Sequence, residues 1–143
     1  MQILQPPGWP RPRGYANGIA ANGTMVFVAG QIGWDAQQAI VSDDLAVQLA
    51  QALDNTLAVL REAGAGPEHV VRMTWYLTDK RDYLARAREI GEVYRARMGR
   101  HYPAMAVVEV SALIEDRAKV EIETTAVVPP ADPPPLERRP GQG

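Results

Sequence analysis

Three glutamates carried on apolar strands are the residues of this chain best suited to chemistry. Glu109 ends the stretch "AMAVVE", and Glu121 and Glu123 alternate with apolar residues in "AKVEIETTAVV". A partly desolvated carboxyl group favours its protonated form unless a cation or donor stands beside it, and in a cleft such a group serves as a general acid or base. Solvated or ion-paired strand glutamates are the plainer reading, and both stay open at this point. Other chemistry is poorly supplied. There is no cysteine, so thiolate nucleophiles, disulfides and cysteine metal sites are excluded. His69 and His101, the only histidines, fall in different elements without carboxylates at ligand spacing, so no metal site is expected. Ser42 reads as a helix cap and Ser111 as a strand end, which leaves no Ser-His-Asp arrangement. Phosphate-loop and dinucleotide fingerprints are absent.

The elements that must position these carboxylates follow from periodicity. "YANGIAANGTMVFVAGQIGW" reads as two short strands joined at the Asn-Gly turn of residues 21–23. Residues 42–63 read as a helix capped by Ser42, with Leu45, Leu49, Leu53, Leu57 and Leu60 along one stripe. "VVRMTWYLT" alternates as a strand, and a second helix spans residues 81–98 with Tyr83, Ala87, Ile90, Tyr94 and Met98 on its apolar side. No site role is assigned to Trp75 or Tyr76. Two final strands, "HYPAMAVVEV" and "AKVEIETTAVV", complete the order ββαβαββ. Both helices can pack on one face of a single mixed sheet, which makes an α+β two-layer domain. Residues 1–12 form an extended leader, 13–128 the domain, and 129–143 a proline-rich tail.

Two helices leave one sheet face bare. With Ala106, Val108 and Val110 expected to point at the helices beside Val120 and Ile122, the bare face receives Met105, Val107, Glu109, Glu121 and Glu123. A half-apolar face of that size calls for a cover, and another copy of the chain is the economical one. The remaining composition narrows the partners. A length of 143 residues suits one domain, and a formal charge of −2 gives no electrostatic reason to expect nucleic acid or an anionic membrane. No apolar run reaches membrane-spanning length and no signal peptide is visible, so a soluble cytoplasmic protein is expected. Arg86, Arg88, Arg95, Arg97 and Arg100 are interspersed with Glu89 and Glu92, the pattern of a solvated helix face rather than an RNA groove.

Taken together, "RGYANG", "FVAGQIGW", "EAGAGPEHVVRMTWYLTD", "HYPAMAVVEV" and "AKVEIETTAVV", in that order and spacing, resemble the RidA (YjgF/UK114) superfamily over residues 13–128. The resemblance implies a chorismate-mutase-like fold, a homotrimer with small-molecule clefts between subunits, and hydrolytic deamination of reactive enamines and imines without metal or cofactor. Carried over by residue, it gives Tyr15 as a site tyrosine, Gly30 and Gln31 as a site loop, and Glu121 as the acid that handles water. It also implies an arginine clamp for a substrate carboxylate, where this chain has Met105, and an asparagine where it has Ala87. Methionine offers a polarizable apolar contact and no charge. Losing a charge-assisted pair in such a site costs on the order of 2–5 kcal/mol, so the usual 2-imino acids should bind poorly. Trp34, Tyr15 and Met105 would line the cleft with apolar surface. Three functions follow: deaminase, a non-catalytic metabolite-binding module, or the ribonuclease and translation inhibitor after which the family is often labelled.

Overall fold

The computed structural model describes residues 1–132; the proline-rich tail expected for 129–143 lies outside the described residues from position 133 onward. Its strands are β1 (Gln2–Leu4), β2 (Gly18–Ala20), β3 (Thr24–Ile32), β4 (Val70–Leu77), β5 (Ala104–Glu109) and β6 (Val120–Val128). Its helices are α1 (Leu45–Glu62), α2 (Lys80–Ala85) and α3 (Ala87–Met98). The main sheet runs β3-β6-β4-β5, antiparallel except for the parallel β4–β5 pair. It is an α+β fold with a mixed sheet and two main helices, α1 and α3, on one side.

The core forms where the helix stripes meet that side of the sheet. Leu49, Leu53 and Leu60 of α1 and Ile90, Tyr94 and Met98 of α3 join Met73, Trp75 and Leu77 of β4 and Val120, Ile122 and Ala126 of β6 in one buried cluster. Gln48, also fully buried, satisfies its amide completely: Nε2 donates to the carbonyls of Ser42 (2.8 Å) and Arg117 (2.9 Å), and Oε1 accepts from the Lys119 N–H (2.8 Å). Those bonds pin α1 to the loop that leads into β6.

Several sequence expectations change. Asp44, not Ser42, caps α1, its Oδ2 accepting from the Val47 N–H at 3.0 Å, while Ser42 Oγ, two residues before it, accepts from the Asp44 N–H. The second helix is broken at Arg86, whose φ of −116° and ψ of 24° separate α2 from α3. β2 and β3 do not form a hairpin: β2 pairs with β1, out of the expected leader, and β3 pairs with β6.

The largest correction concerns β5. Parallel pairing sets Met105 beside Met73 and Val107 beside Trp75, so both side chains join the helix side and pack on the core. Ala106 and Val108 therefore take the bare side. Both parities of "AMAVV" are apolar, so alternation could not choose the face; the pairing with β4 does. Glu109 has the parity of Met105, and its Oε1 accepts from the Lys80 N–H at the start of α2, 3.0 Å away. That carboxylate is a helix-start partner. Glu121 and Glu123 do point to the bare side, opposite buried Val120, Ile122 and Thr124.

Candidate functional site

Five of the six sequence-predicted site residues fall in two places, and Trp34 lies apart from both. One is a cavity of about 470 Å³ at the β5 edge, between β5, α3 and the segment that precedes β2. Tyr15 and Met105 both line it, as does Ala87. The segment carrying Tyr15 is held against β5 by the Ala16 N–H, which donates to the Pro103 carbonyl at 2.9 Å. The loop entering β5 is fixed in turn: His101 Nε2 lies 2.6 Å from the Val70 carbonyl, which requires the proton on that nitrogen, and the Tyr94 hydroxyl donates to the His101 carbonyl. Tyr102 then stacks on Tyr94 with centroids 5.5 Å apart and planes 13° from parallel. Trp75, Tyr83, Tyr94 and Tyr102 complete an aromatic wall. Burial pushes the Tyr94 phenol well above its ordinary range, with the Tyr102 phenol adding to the shift, and burial alone raises Tyr83. The Tyr83 and Tyr94 hydroxyls therefore stay neutral, and Arg13 and Arg95 line the cavity beside them. The Trp75 indole N–H is buried without a partner among the described residues.

The second place lies on the helix-free face, centred on β6. There the Glu121 carboxylate rests directly on Gly30: a Cβ at that position would meet Oε2 at 2.7 Å and Cδ at 2.8 Å. The register of β3 against β6 shifts between Val28 and Gln31, so Gly30 sits in the irregular stretch where the ladder loosens. Gln31 follows on the same strand, but its register partner is buried Ile122, so its side chain takes the helix side, where Nε2 donates to the Ala29 carbonyl at 3.1 Å. Tyr76 is the register partner of Glu121, and its hydroxyl donates to Glu123 Oε1 at 2.6 Å. That hydrogen bond to Glu123 raises the Tyr76 pKa above 10.0, with partial desolvation and the Glu123 and Glu121 charges adding to it. Tyr76 had no role from sequence; its place beside Glu121 comes from long-range pairing that no local pattern reveals.

In one chain these places do not meet. Glu121 and Met105 occupy opposite faces of the sheet with β4 between their strands, roughly 10 Å apart across the strands alone. Trp34 lies after β3, at the far edge from β5, bridged to Ile40 with its carbonyl accepting from Asn55 Nδ2 at 2.8 Å. It does not line the cavity of Tyr15 and Met105 within one chain. Among the described residues no cluster of His, Cys, Asp or Glu could hold a metal ion, and His69 Nδ1 is taken by the Gly66 N–H at 2.9 Å. No helix among them is long and apolar enough to cross a membrane.

Known proteins carry the same pattern. The family model described as "Endoribonuclease L-PSP" matches residues 10–128. A RutC family protein of Synechocystis is 40% identical over 132 residues, spanning 90% of this chain and 98% of that protein. The 2-iminobutanoate/2-iminopropanoate deaminase of Salmonella typhimurium is 33% identical over 116 residues, 79% of this chain and 86% of that enzyme. Among solved structures, Escherichia coli TdcF with bound serine superposes with a TM-score of 0.65 at 30% identity, covering 90% of this chain and 99% of that one.

Proposed function

The chain belongs to the endoribonuclease L-PSP family, the RidA/YjgF group, and from that membership we propose that it is a cofactor-independent deaminase of reactive enamines or imines, built as a homotrimer in the cytosol. The observation that carries this reading is the separation of the two half-sites. Glu121 over Gly30 on the bare face and the Tyr15–Met105 cavity at the β5 edge are each incomplete, and one chain cannot join them. A second copy laid on the bare face would bring its own cavity edge to Glu121, and cyclic closure makes the clefts equivalent. Covering that face also removes its exposed Phe27 and Met25 from water.

The chemistry then balances simply. Glu121 accepts a proton from a water molecule as that water adds to the imine carbon, giving a carbinolamine. That proton passes to nitrogen; the carbinolamine hydroxyl then gives its own proton to the nitrogen by way of Glu121 as the C–N bond breaks, so ammonia leaves and a carbonyl compound remains. The Tyr15 hydroxyl and the backbone around Gly30 and Gln31 orient the ligand. The Salmonella relative is named for two short 2-imino acids, and the TdcF structure holds serine; here Met105 supplies no charge to such a carboxylate, so this cleft favours other members of the class.

The test is ammonia release from freshly generated enamines by the native protein and by Glu121→Ala. A fall of about 100-fold or more is expected, the usual scale for a general base; equal rates in both would remove the acid from the mechanism. Met105 itself favours a second reading, a trimer that binds a metabolite without turning it over. Ligand-dependent thermal stabilisation with no ammonia release would select it. For ribonuclease activity, three of the five arginines of that helix region, Arg86, Arg88 and Arg97, are already engaged in ion pairs with Asp or Glu.

A further inference from the structure

The chain has a formal charge of −2, yet the walls around Tyr15 carry only positive charge. The 470 Å³ cavity is lined by Arg13 and Arg95, and an adjoining one of about 900 Å³ by Arg11, Arg95 and Arg100, with no aspartate or glutamate lining either. Tyr15, Tyr102 and Arg95 belong to both. Arg95 differs from Arg86, Arg88 and Arg97 of its helix region, and it shares with Arg13 and Arg100 the lack of an ion pair among the described residues. Arg86 pairs with Asp44 and Glu89 at 2.9 Å, Arg97 with Asp54 at 2.9 Å and even exposed Arg88 with Glu92 at 3.6 Å. The Arg95 guanidinium makes no ion pair or side-chain hydrogen bond among the described residues. It folds back along α3 over Gly91 instead, where a Cβ would stand 3.0 Å from Nη1. Gly91 is a costly residue inside a helix, less favourable there than alanine. Its lack of a side chain leaves the space that the guanidinium uses on the wall of the cavity that Met105 also lines.

We propose that Arg95 binds the carboxylate of an aromatic 2-imino acid, supplying from α3 the cation that β5 lacks at Met105. The assignment rests on the deaminase reading for the imine and goes beyond it in the residue and in the substrate class. A guanidinium takes a carboxylate through two parallel N–H donors, and moving that fork from β5 to α3 moves the place of the carboxylate. The space left at Met105 is faced by Tyr15, Trp75, Tyr94 and Tyr102, which suit a planar ring through stacking and thioether contact. A cavity of 470 Å³ lies within the ~300–1,000 Å³ of small-molecule sites and is poorly filled by a short aliphatic acid.

Calorimetric titration of the full chain tests this with three probes: phenylpyruvate, the stable 2-oxo product; 2-oxobutanoate, which keeps the carboxylate without the ring; and phenylacetone, which keeps the ring without the carboxylate. Phenylpyruvate is expected to bind at least tenfold more tightly than either. Arg95→Gln should weaken it tenfold or more, Arg95→Lys should recover part of the loss, and Arg88→Gln should change nothing. Gly91→Ala should weaken binding severalfold while raising the melting temperature, a pairing that a purely structural role for Arg95 would not produce. Glu121→Gln should keep phenylpyruvate affinity and lose ammonia release; if native protein binds phenylpyruvate through Arg95 but releases no ammonia from any enamine, the deaminase reading fails and the arginine assignment stands. Unchanged phenylpyruvate affinity in Arg95→Gln overturns the assignment. So does an Arg95-dependent affinity for single-stranded RNA without any for phenylpyruvate.

Discussion

Two glycines three positions apart do different work in "AGQIGW". At Gly30 a methyl group would collide with the far end of a flexible side chain, the Glu121 carboxylate, at 2.7 Å. At Gly33 it would collide with α1 itself, 2.6 Å from the Gln48 Cα and 2.7 Å from its Cβ. Glu121 can swing aside at little cost, whereas α1 is anchored through the buried Gln48 amide and cannot. Gly30→Ala is therefore expected to displace the proposed general base and cut ammonia release tenfold or more, with stability changed by less than about 0.5 kcal/mol. Gly33→Ala is expected to cost about 1–3 kcal/mol through overpacking. Urea titration beside the ammonia assay separates the two, and a Gly30→Ala enzyme that is fully active would show that the carboxylate's position over the glycine is immaterial.

At the scale of elements, one ion pair holds the start of α1 to the break between α2 and α3. Asp44 accepts the Val47 N–H and receives Arg86 Nη1 at 2.9 Å, and Arg86 also reaches Glu89. The Arg86 hydrogen bond, followed by that of the Val47 amide, holds the Asp44 carboxyl below its ordinary 3.8. Its stabilisation is present above that value and lost as pH falls through the lowered one. Asp44→Ala is expected to cost about 1 kcal/mol, the usual worth of a lost N-cap, with little more for the solvated pair; a midpoint shift in urea at neutral pH that shrinks in strong acid would check it. This cap also marks where sequence reasoning reached its limit. Helical periodicity located α1 to within three residues, and the leucine stripe named its buried side, because both are local signals. The partner of β2 and the facing of β5 are not local. β2 carries the same residues whether it pairs with β1 or β3, and "AMAVV" is apolar on both parities, so only strand order decides. The candidate site inherits that limit. Tyr15, Gly30, Gln31, Glu121 and Met105 were legible one by one through family resemblance, but their division between two faces was not, and neither Arg95 nor Gly91 carries a signal until α3 is laid against β5.

Across the whole molecule, the two sides of the sheet differ in what they still expose. The helix side is closed over a continuous core, and the phenols of Tyr83 and Tyr94 there are held protonated by burial. On the bare side Tyr76 is held protonated by Glu123. For all three the folded state keeps its proton above the unfolded value of 10.0, so above about pH 10 it binds more protons than the unfolded chain and stability declines as pH rises. Urea midpoints should fall between about pH 9 and pH 11, with a step in phenolate absorbance on unfolding. The bare side also displays Phe27 at 71% exposure, on the parity opposite buried Val28 and near Arg72 and Glu123. An isolated subunit gains nothing from that ring, whereas a subunit covered by its copy removes it from water, a gain of roughly 2 kcal/mol per interface. Phe27→Asp is thus expected to leave the urea stability of the separated subunit unchanged and to weaken association about thirtyfold or more, with ammonia release falling in step as the half-sites part. Sedimentation across a dilution series reads the first effect and the enamine assay the second. A native protein that sediments as a single subunit at micromolar concentration while releasing ammonia would show that one chain suffices, and would dissolve the link drawn between Glu121 and the Tyr15–Met105 cavity.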